Sequence, residues 1–345
     1  QKILLQSIQG QKRITIGERD YTSSLWMTHP GAMYIHEGET YEVIDLNFEN
    51  RLATLQPTQT DYFTEAIRET KIHPITILRG ETIIAGEKSY GEITVSEHVT
   101  GFRKILWQTH QSLSVLPLEM PITTLQTTAY WMTISQEAIL LLQELNLWNG
   151  HPNDYGPTWT QIRNQIRKRD HFCCQLCGKA EQGRAFAVHH IIPFRTFTSV
   201  EQAHQPENLV TLCPTCHQRA ETIVRIRSSI TSLGYTLSAL IPLFLMCDRN
   251  DIGIYTNPEN DWGNHQPLVL IYDQIPAGIG LSEAVYNLHH LIMAAALKLV
   301  ENCSCKNGCP SCVGPASEIG YGNKEQTLAL LQVINGKIKH NVNLE

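Results

Sequence analysis

The chain has no run of about 18 apolar residues, the length a helix needs to cross a bilayer, so neither a membrane span nor a membrane partner is expected. Its opening residues, Gln1-Lys2-Ile3, lack the basic, apolar and small-residue succession of a secretory leader. They also lack an initiator Met, as expected of a segment of something longer. Charged residues are sparse at 17%, and the formal net charge of −6 excludes nucleic-acid binding over the whole surface. No GxGxxG and no Gly-Lys-Ser/Thr loop occurs, and Pro276, Gly278 and Gly280 are spaced for neither, so no nucleotide-hydrolysing motif is present.

What is there divides unevenly. At 345 residues the chain exceeds the usual single-core size and should hold two or three domains, and 42% hydrophobic content is that of an ordinary globular protein. From Trp159 to Arg227 ten Lys/Arg face five Asp/Glu, a local +5 that leaves −11 for the rest. A basic segment in an acidic chain is the footprint of a local phosphate-binding face. Its candidate DNA contacts are Arg163, Arg167, Lys168, Arg169, Arg195 and Arg219; for the first four, a solvated helix face is the alternative reading.

Residues 1–100 alternate apolar and polar positions between turn signals at Glu37-Gly38, Glu49-Asn50, Arg79-Gly80 and Ala85-Gly86, the pattern of short strands in a sheet or small barrel. A buried helix is expected over Gln136–Leu147. Trp148 to Pro157, dense in Gly, Pro and Asn, reads as a linker, and a softer boundary falls near Ser228 to Gly234. Beyond Tyr235 come an apolar helix-like run, then a strand, the Pro-Gly loop and a long helix. The fold class that follows is α+β and multidomain. Residues 1–147 form a β-rich part, 148–231 an inserted middle domain and 232–345 an α/β part.

Ten cysteines, eight of them in tight clusters, suit metal binding in a reducing cytoplasm better than disulfides. Cys173 and Cys247 are left over and read as core or bystander thiols. Two CxxC pairs, Cys174/Cys177 and Cys213/Cys216, bracket the step His189-His190. Each pair is a knuckle whose thiolates can point at one ion, and four thiolates close a tetrahedral zinc site with no open position, so this zinc is expected to be structural. Asn208 lies between the histidine step and the second pair, and His217 follows Cys216. Near the end, Cys303, Cys305, Cys309 and Cys312 lie within ten residues, with Gly308 and Pro310 permitting a sharp loop. A second structural zinc is expected there, in preference to an iron–sulfur cluster.

The segments CQLCG, VHHIIP and NLVTLCPTCH, with WTQIRNQIRKRD as a lead-in helix, closely resemble the HNH nuclease family (the ββα-metal fold) in its four-cysteine zinc form. Over about 70 residues the resemblance implies roles position by position. His189 and His217 hold one catalytic divalent metal (Mg, Mn, Ni or Zn), His190 is the general base, and Asn208 orients the loop that aims it. The family often has Asp where this chain has His189, which widens the choice of metal. Where some members place a further His, this chain has Glu221, whose role stays open. The chemistry suits these parts: a cation for the phosphorane charge, and an imidazole able to take a proton near neutral pH.

The flanks carry a second resemblance. HPGAMYIHEGETYEVIDLNFENR, TTAYW, LIPLFLMCDRNDIG, IYDQIPAGIGLSE and CSCKNGCPSCVGP are similar to the accessory C-terminal region of mitomycin-repair-type DEAD/DEAH-box helicases, over roughly residues 15–145 and 232–316. It implies an HNH unit inserted into that region, and a helicase motor in the same longer polypeptide or in a separate subunit. The expected function is metal-dependent DNA cleavage, nicking by default, in repair or anti-phage defence. The alternative is a non-catalytic zinc-containing DNA-binding or scaffold module of a helicase complex.

Overall fold

The computed structural model describes residues 2–10, 12–109, 112–145, 155–192, 194, 197, 199–260, 262, 265–314 and 323–338. The chain divides into two compact units, one of residues 1–73 and 94–126, the other of residues 74–93 and 127–345.

In the first unit β1 (Lys2–Gln9) and β2 (Lys12–Asp20) form an antiparallel pair, and α1 (Tyr21–Met27) follows with Asp20 accepting from the Ser23 N–H at 2.8 Å as its cap. Next come β3 (Met33–His36), β4 (Glu39–Asn47) and β5 (Leu52–Pro57), giving the strand order β2-β1-β5-β4-β3 with β1 parallel to β5. The β3–β4 turn is Glu37-Gly38 with φ of 51° and 83°. Two positive values make the primed turn that matches strand twist. Period-2 alternation puts Ile3, Leu5 and Ser7 of β1 inside, against Val43, Ala53 and Leu55.

Strands β6 (Tyr62–Ile83), β7 (Gly86–Leu106) and β9 (Thr123–Ile134) each run through both units, and β8 (Ser112–Pro117) pairs with β7. The expected turn at Arg79-Gly80 is absent: β6 continues through it as a 22-residue strand and reverses only at Ile84-Ala85. Gly80 has no positive φ, so it extends like any other residue.

The second unit carries α2 (Gln136–Glu144), α3 (Trp159–Arg169), β10 (Ala187–His190), α4 (Val200–Ala203), β11 (Leu209–Leu212) and α5 (Pro214–Leu245). After these come β12 (Ile252–Asn257), β13 (Leu268–Asp273), α6 (Leu281–Asn287), α7 (His289–Asn302) and α8 (Asn323–Ile334). Its main sheet is ordered β12-β13-β9-β7-β6, and β10 and β11 form a separate antiparallel pair. Most of the linker read at Trp148 to Pro157 lies outside the described residues.

Helix α5 organises this unit. Ile226, Ile230, Leu233, Leu237 and Ile241 recur at helical spacing and are buried in one core with α7, α8 and the sheet. Each buried side chain of this size stabilises by about 2 kcal/mol. The helix runs unbroken through residue 231, so the middle segment passes into the C-terminal part within a single helix. Helix α5 is long and apolar enough to match a membrane span by length and composition, with a mean hydropathy of 1.4 over its most apolar 18 residues, 44% of which are buried inside the protein.

Candidate metal centre

Helices α3 and α5 lie against opposite faces of the β10–β11 pair. Val188 and Leu209 pack with Ile166, Trp159 and Ile162 on the α3 side, whereas Leu212 and Val210 pack with Phe186, Cys213, Cys216 and Ala220 on the other. Successive strand residues face opposite ways. His189, paired with Val210, therefore faces α5, and His190, paired with Leu209, faces α3.

The knuckles close first. Gly178, at φ 72°, lets the first one turn back so that its N–H donates to Cys174 O at 2.8 Å. Cys213 caps α5, Pro214 opens it, and Cys216 comes one turn later. Cys174, Cys177, Cys213 and Cys216 present four sulfurs to one point, with Cys177 and Cys213 Sγ 3.8 Å apart. Four thiolates on a tetrahedral zinc at about 2.3 Å stand about 3.8 Å apart, so the set fits that ion. The loop of Cys303, Cys305, Cys309 and Cys312 fits as well, with Sγ separations of 3.5 to 3.6 Å. Lys324 of α8 braces it by donating to Cys303 O and Cys305 O. None of the ten cysteines is disulfide-bonded.

On the α5 face, His189, His217 and Glu221 bring their donor atoms within 4.8 Å of one another. His189 Nδ1 is buried and lies 3.2 Å from Glu221 Oε1 without hydrogen-bond geometry, and His217 Nε2 lies 3.8 Å from the same oxygen. Three electron-pair donors thus converge on one point. The Glu221 side chain is 40% exposed, so the cluster opens to solvent. Three protein ligands with an open side are the pattern of a catalytic site, in contrast to the closed four-cysteine sets. Glu221 is one helical turn beyond His217, and that i,i+4 spacing is the signal in the sequence for a third candidate donor. Contact with His189, against the burial that opposes it, holds the Glu221 carboxyl below its usual range. Burial lowers His217.

On the α3 face His190 is buried, and burial, with His204 and His189 adding, pulls its imidazole down to about 4. A group so shifted is neutral at pH 7. Asn208 ties the loop after His190 to the turn before β11. Its Oδ1 accepts from Ile192 N–H at 2.7 Å, and its Nδ2 donates to Ile192 O at 3.1 Å and Ala203 O at 3.0 Å.

The basic residues named as candidate DNA contacts have different surroundings in the fold. Arg167 makes a two-pronged pair with Glu181, both side chains largely buried. Arg169 bonds Asp170, Pro206 O and Leu209 O, and Arg163 donates to Phe186 O. Each of these three guanidiniums has a backbone or carboxylate acceptor beside α3, although the Arg169 side chain remains 43% exposed. Lys168 is exposed, and Arg219 is 75% exposed with Glu259 at 3.4 Å. Arg195 lies outside the described residues.

Comparison with known proteins bears on both parts. The HNH endonuclease family matches residues 174–222, and the MrfA Zn-binding domain matches residues 233–313. Successive segments of the chain are thus similar to an HNH endonuclease and to a MrfA zinc-binding domain. The ATP-dependent helicase YprA of Bacillus subtilis (strain 168) is 24% identical over 318 residues, 92% of this chain and 31% of that protein. Protein MJ1572.1 of Methanocaldococcus jannaschii is 26% identical over 84 residues, 24% of this chain and 75% of that protein. The crystal structure of the DUF1998 helicase MrfA bound to DNA matches the fold with a TM-score of 0.55 and 22% identity, covering 97% of this chain and 34% of MrfA. The chain spans about a third of the length of these two helicases.

Proposed function

We propose that the chain is a metal-dependent DNA endonuclease of the HNH type that nicks one strand and works with a helicase motor, in the same longer polypeptide or a separate subunit. The observation that carries this reading is the open cluster of His189, His217 and Glu221 with His190 next in sequence and on the opposite face of the strand. In-line displacement at phosphorus needs the attacking and leaving oxygens on opposite sides. Two neighbouring residues at the end of a strand supply two sides.

His189, His217 and Glu221 would hold a divalent ion, and when bound it supplies charge neutralisation at the scissile phosphate and the leaving oxygen. The imidazole and carboxylate donors suit Mn, Ni or Zn as well as Mg. His190, kept neutral by burial, takes the proton from the attacking water. Asn208 holds the segment at Ile192 that follows it. The two four-cysteine zincs hold the scaffold. The likeness to helicases, one of them solved with DNA, supports DNA as substrate and a motor as partner. Repair and phage defence are both processes such a pairing serves.

One observation favours a second reading, a non-catalytic DNA-binding or scaffold module: His190 Nε2 is buried with no hydrogen-bond partner among the described residues. A supercoiled-plasmid assay with Mg, Mn, Ni or EDTA separates the two. Nicking that needs added metal and is lost in His190→Ala, with both zincs retained, is the expected result. Metal-independent DNA binding without cleavage on plasmid, single-stranded or forked DNA would overturn the nuclease reading.

A further inference from the structure

A catalytic imidazole is ordinarily aimed by a hydrogen bond at its second nitrogen. His190 has no such bond at its buried Nε2 among the described residues. What surrounds it instead is aromatic. Tyr155 lies 5.4 Å away at 9° to the imidazole plane, and Trp159 lies 5.1 Å away at 19°. Phe194 meets it edge-on at 5.4 Å and 69°, and His204 at 5.5 Å and 32°. Tyr155 and Trp159 also stack on one another at 4.8 Å. Two near-parallel faces restrict tilt of the imidazole, and an edge-on ring restricts its rotation.

We propose that Trp159 and Tyr155 are positioning residues for His190, setting by ring stacking the angle that a hydrogen bond sets elsewhere. The proposal rests on the reading of His190 as the base. It gives a function to the start of α3, where Trp159 is the first helical residue and Tyr155 lies four residues before it. It also explains why an imidazole with an orphaned nitrogen is tolerated in a buried place: the ring gains aromatic contact where it lacks a polar partner.

The experiment uses the full chain with both zincs, with selectively labelled histidine and the plasmid assay run side by side. The variants are Trp159→Leu, Trp159→Phe, Tyr155→Leu, and each Leu change combined with His190→Ala. Trp159 also packs with Ile166, Val188 and Leu209, so the Phe variant controls for lost packing. In the parent protein the stacked rings should shift the ring protons of His190 upfield. Trp159→Leu and Tyr155→Leu should each remove part of that shift while leaving His189 and His217 unmoved. They should lower kcat about tenfold or more, since a misplacement of 1 Å can reduce rate by about a hundredfold, with KM within about twofold. Trp159→Phe should restore both readouts, and the Leu changes should add nothing in the His190→Ala background.

An unchanged His190 shift in both Leu variants overturns the positioning role whatever the cutting shows. A lost shift with undiminished kcat overturns its part in catalysis. Losses in Trp159→Phe equal to those in Trp159→Leu overturn the stacking argument. Full nicking by His190→Ala would instead reject His190 as the base, while the ring shifts still report whether the stack holds it.

Discussion

Asn208 gives the sharpest quantitative prediction. Its side chain is buried and makes three hydrogen bonds, to Ile192 N–H, Ile192 O and Ala203 O. A buried bond of this kind contributes about 1 kcal/mol net, so Asn208→Ala should destabilise the closed form of the loop by about 3 kcal/mol. At about 1.4 kcal/mol per decade, native-state hydrogen exchange at the Ile192 amide should speed up about a hundredfold. The Ile191 amide, which donates to the Asn208 backbone carbonyl at 2.8 Å, should follow it. Asn208→Asp separates the contributions. It keeps an acceptor for Ile192 N–H but turns a carboxylate oxygen toward two carbonyls, so at neutral pH it should exchange at least as fast as the Ala variant. Facing those carbonyls raises the introduced carboxyl above its unfolded value, so stability is greatest where it is protonated, and the deficit shrinks as pH is lowered. Exchange in Asn208→Asp equal to the parent at neutral pH would refute the assignment of the two donor bonds. Unchanged exchange in Asn208→Ala would refute the staple altogether.

Other outcomes follow from the same geometry. Glu221→Gln should weaken Mn binding, measured by calorimetry on zinc-loaded protein, by at least the roughly 10- to 100-fold that loss of an outer-shell partner brings, with zinc content unchanged. Lys168→Ala should reduce the salt slope of DNA binding by about one. Arg169→Ala should instead loosen the joint to β11 by removing the bonds to Pro206 O and Leu209 O, seen as faster exchange around Leu209. Cys309→Ser should release one zinc and open α7 and α8 to proteolysis while the knuckle zinc stays, because that loop belongs to the core shared with α5. Retention of both zincs in that variant would refute the second site.

Sequence by itself determined the features that depend on short-range spacing. A CxxC knuckle needs only its own few residues to present two thiolates, so both four-cysteine sets were legible before any fold was known. The turn at Glu37-Gly38 was legible for the same reason, since its signal is local, and the helix over Trp159–Arg169 was implied by the family resemblance. The Arg79-Gly80 signal failed because a glycine permits a turn without requiring one, and pairing along β6 and β7 prevailed. Tertiary structure decided what depends on residues far apart in the chain. Glu221 completes a three-donor cluster because α5 carries it beside His189, 32 positions earlier. Arg163, Arg167 and Arg169 find acceptors because Phe186, Glu181 and Leu209 are brought to them. A guanidinium looks the same in sequence whether its partner is a phosphate or a buried carboxylate, and an imidazole gives no sign of the rings that will enclose it. Those choices are made by packing.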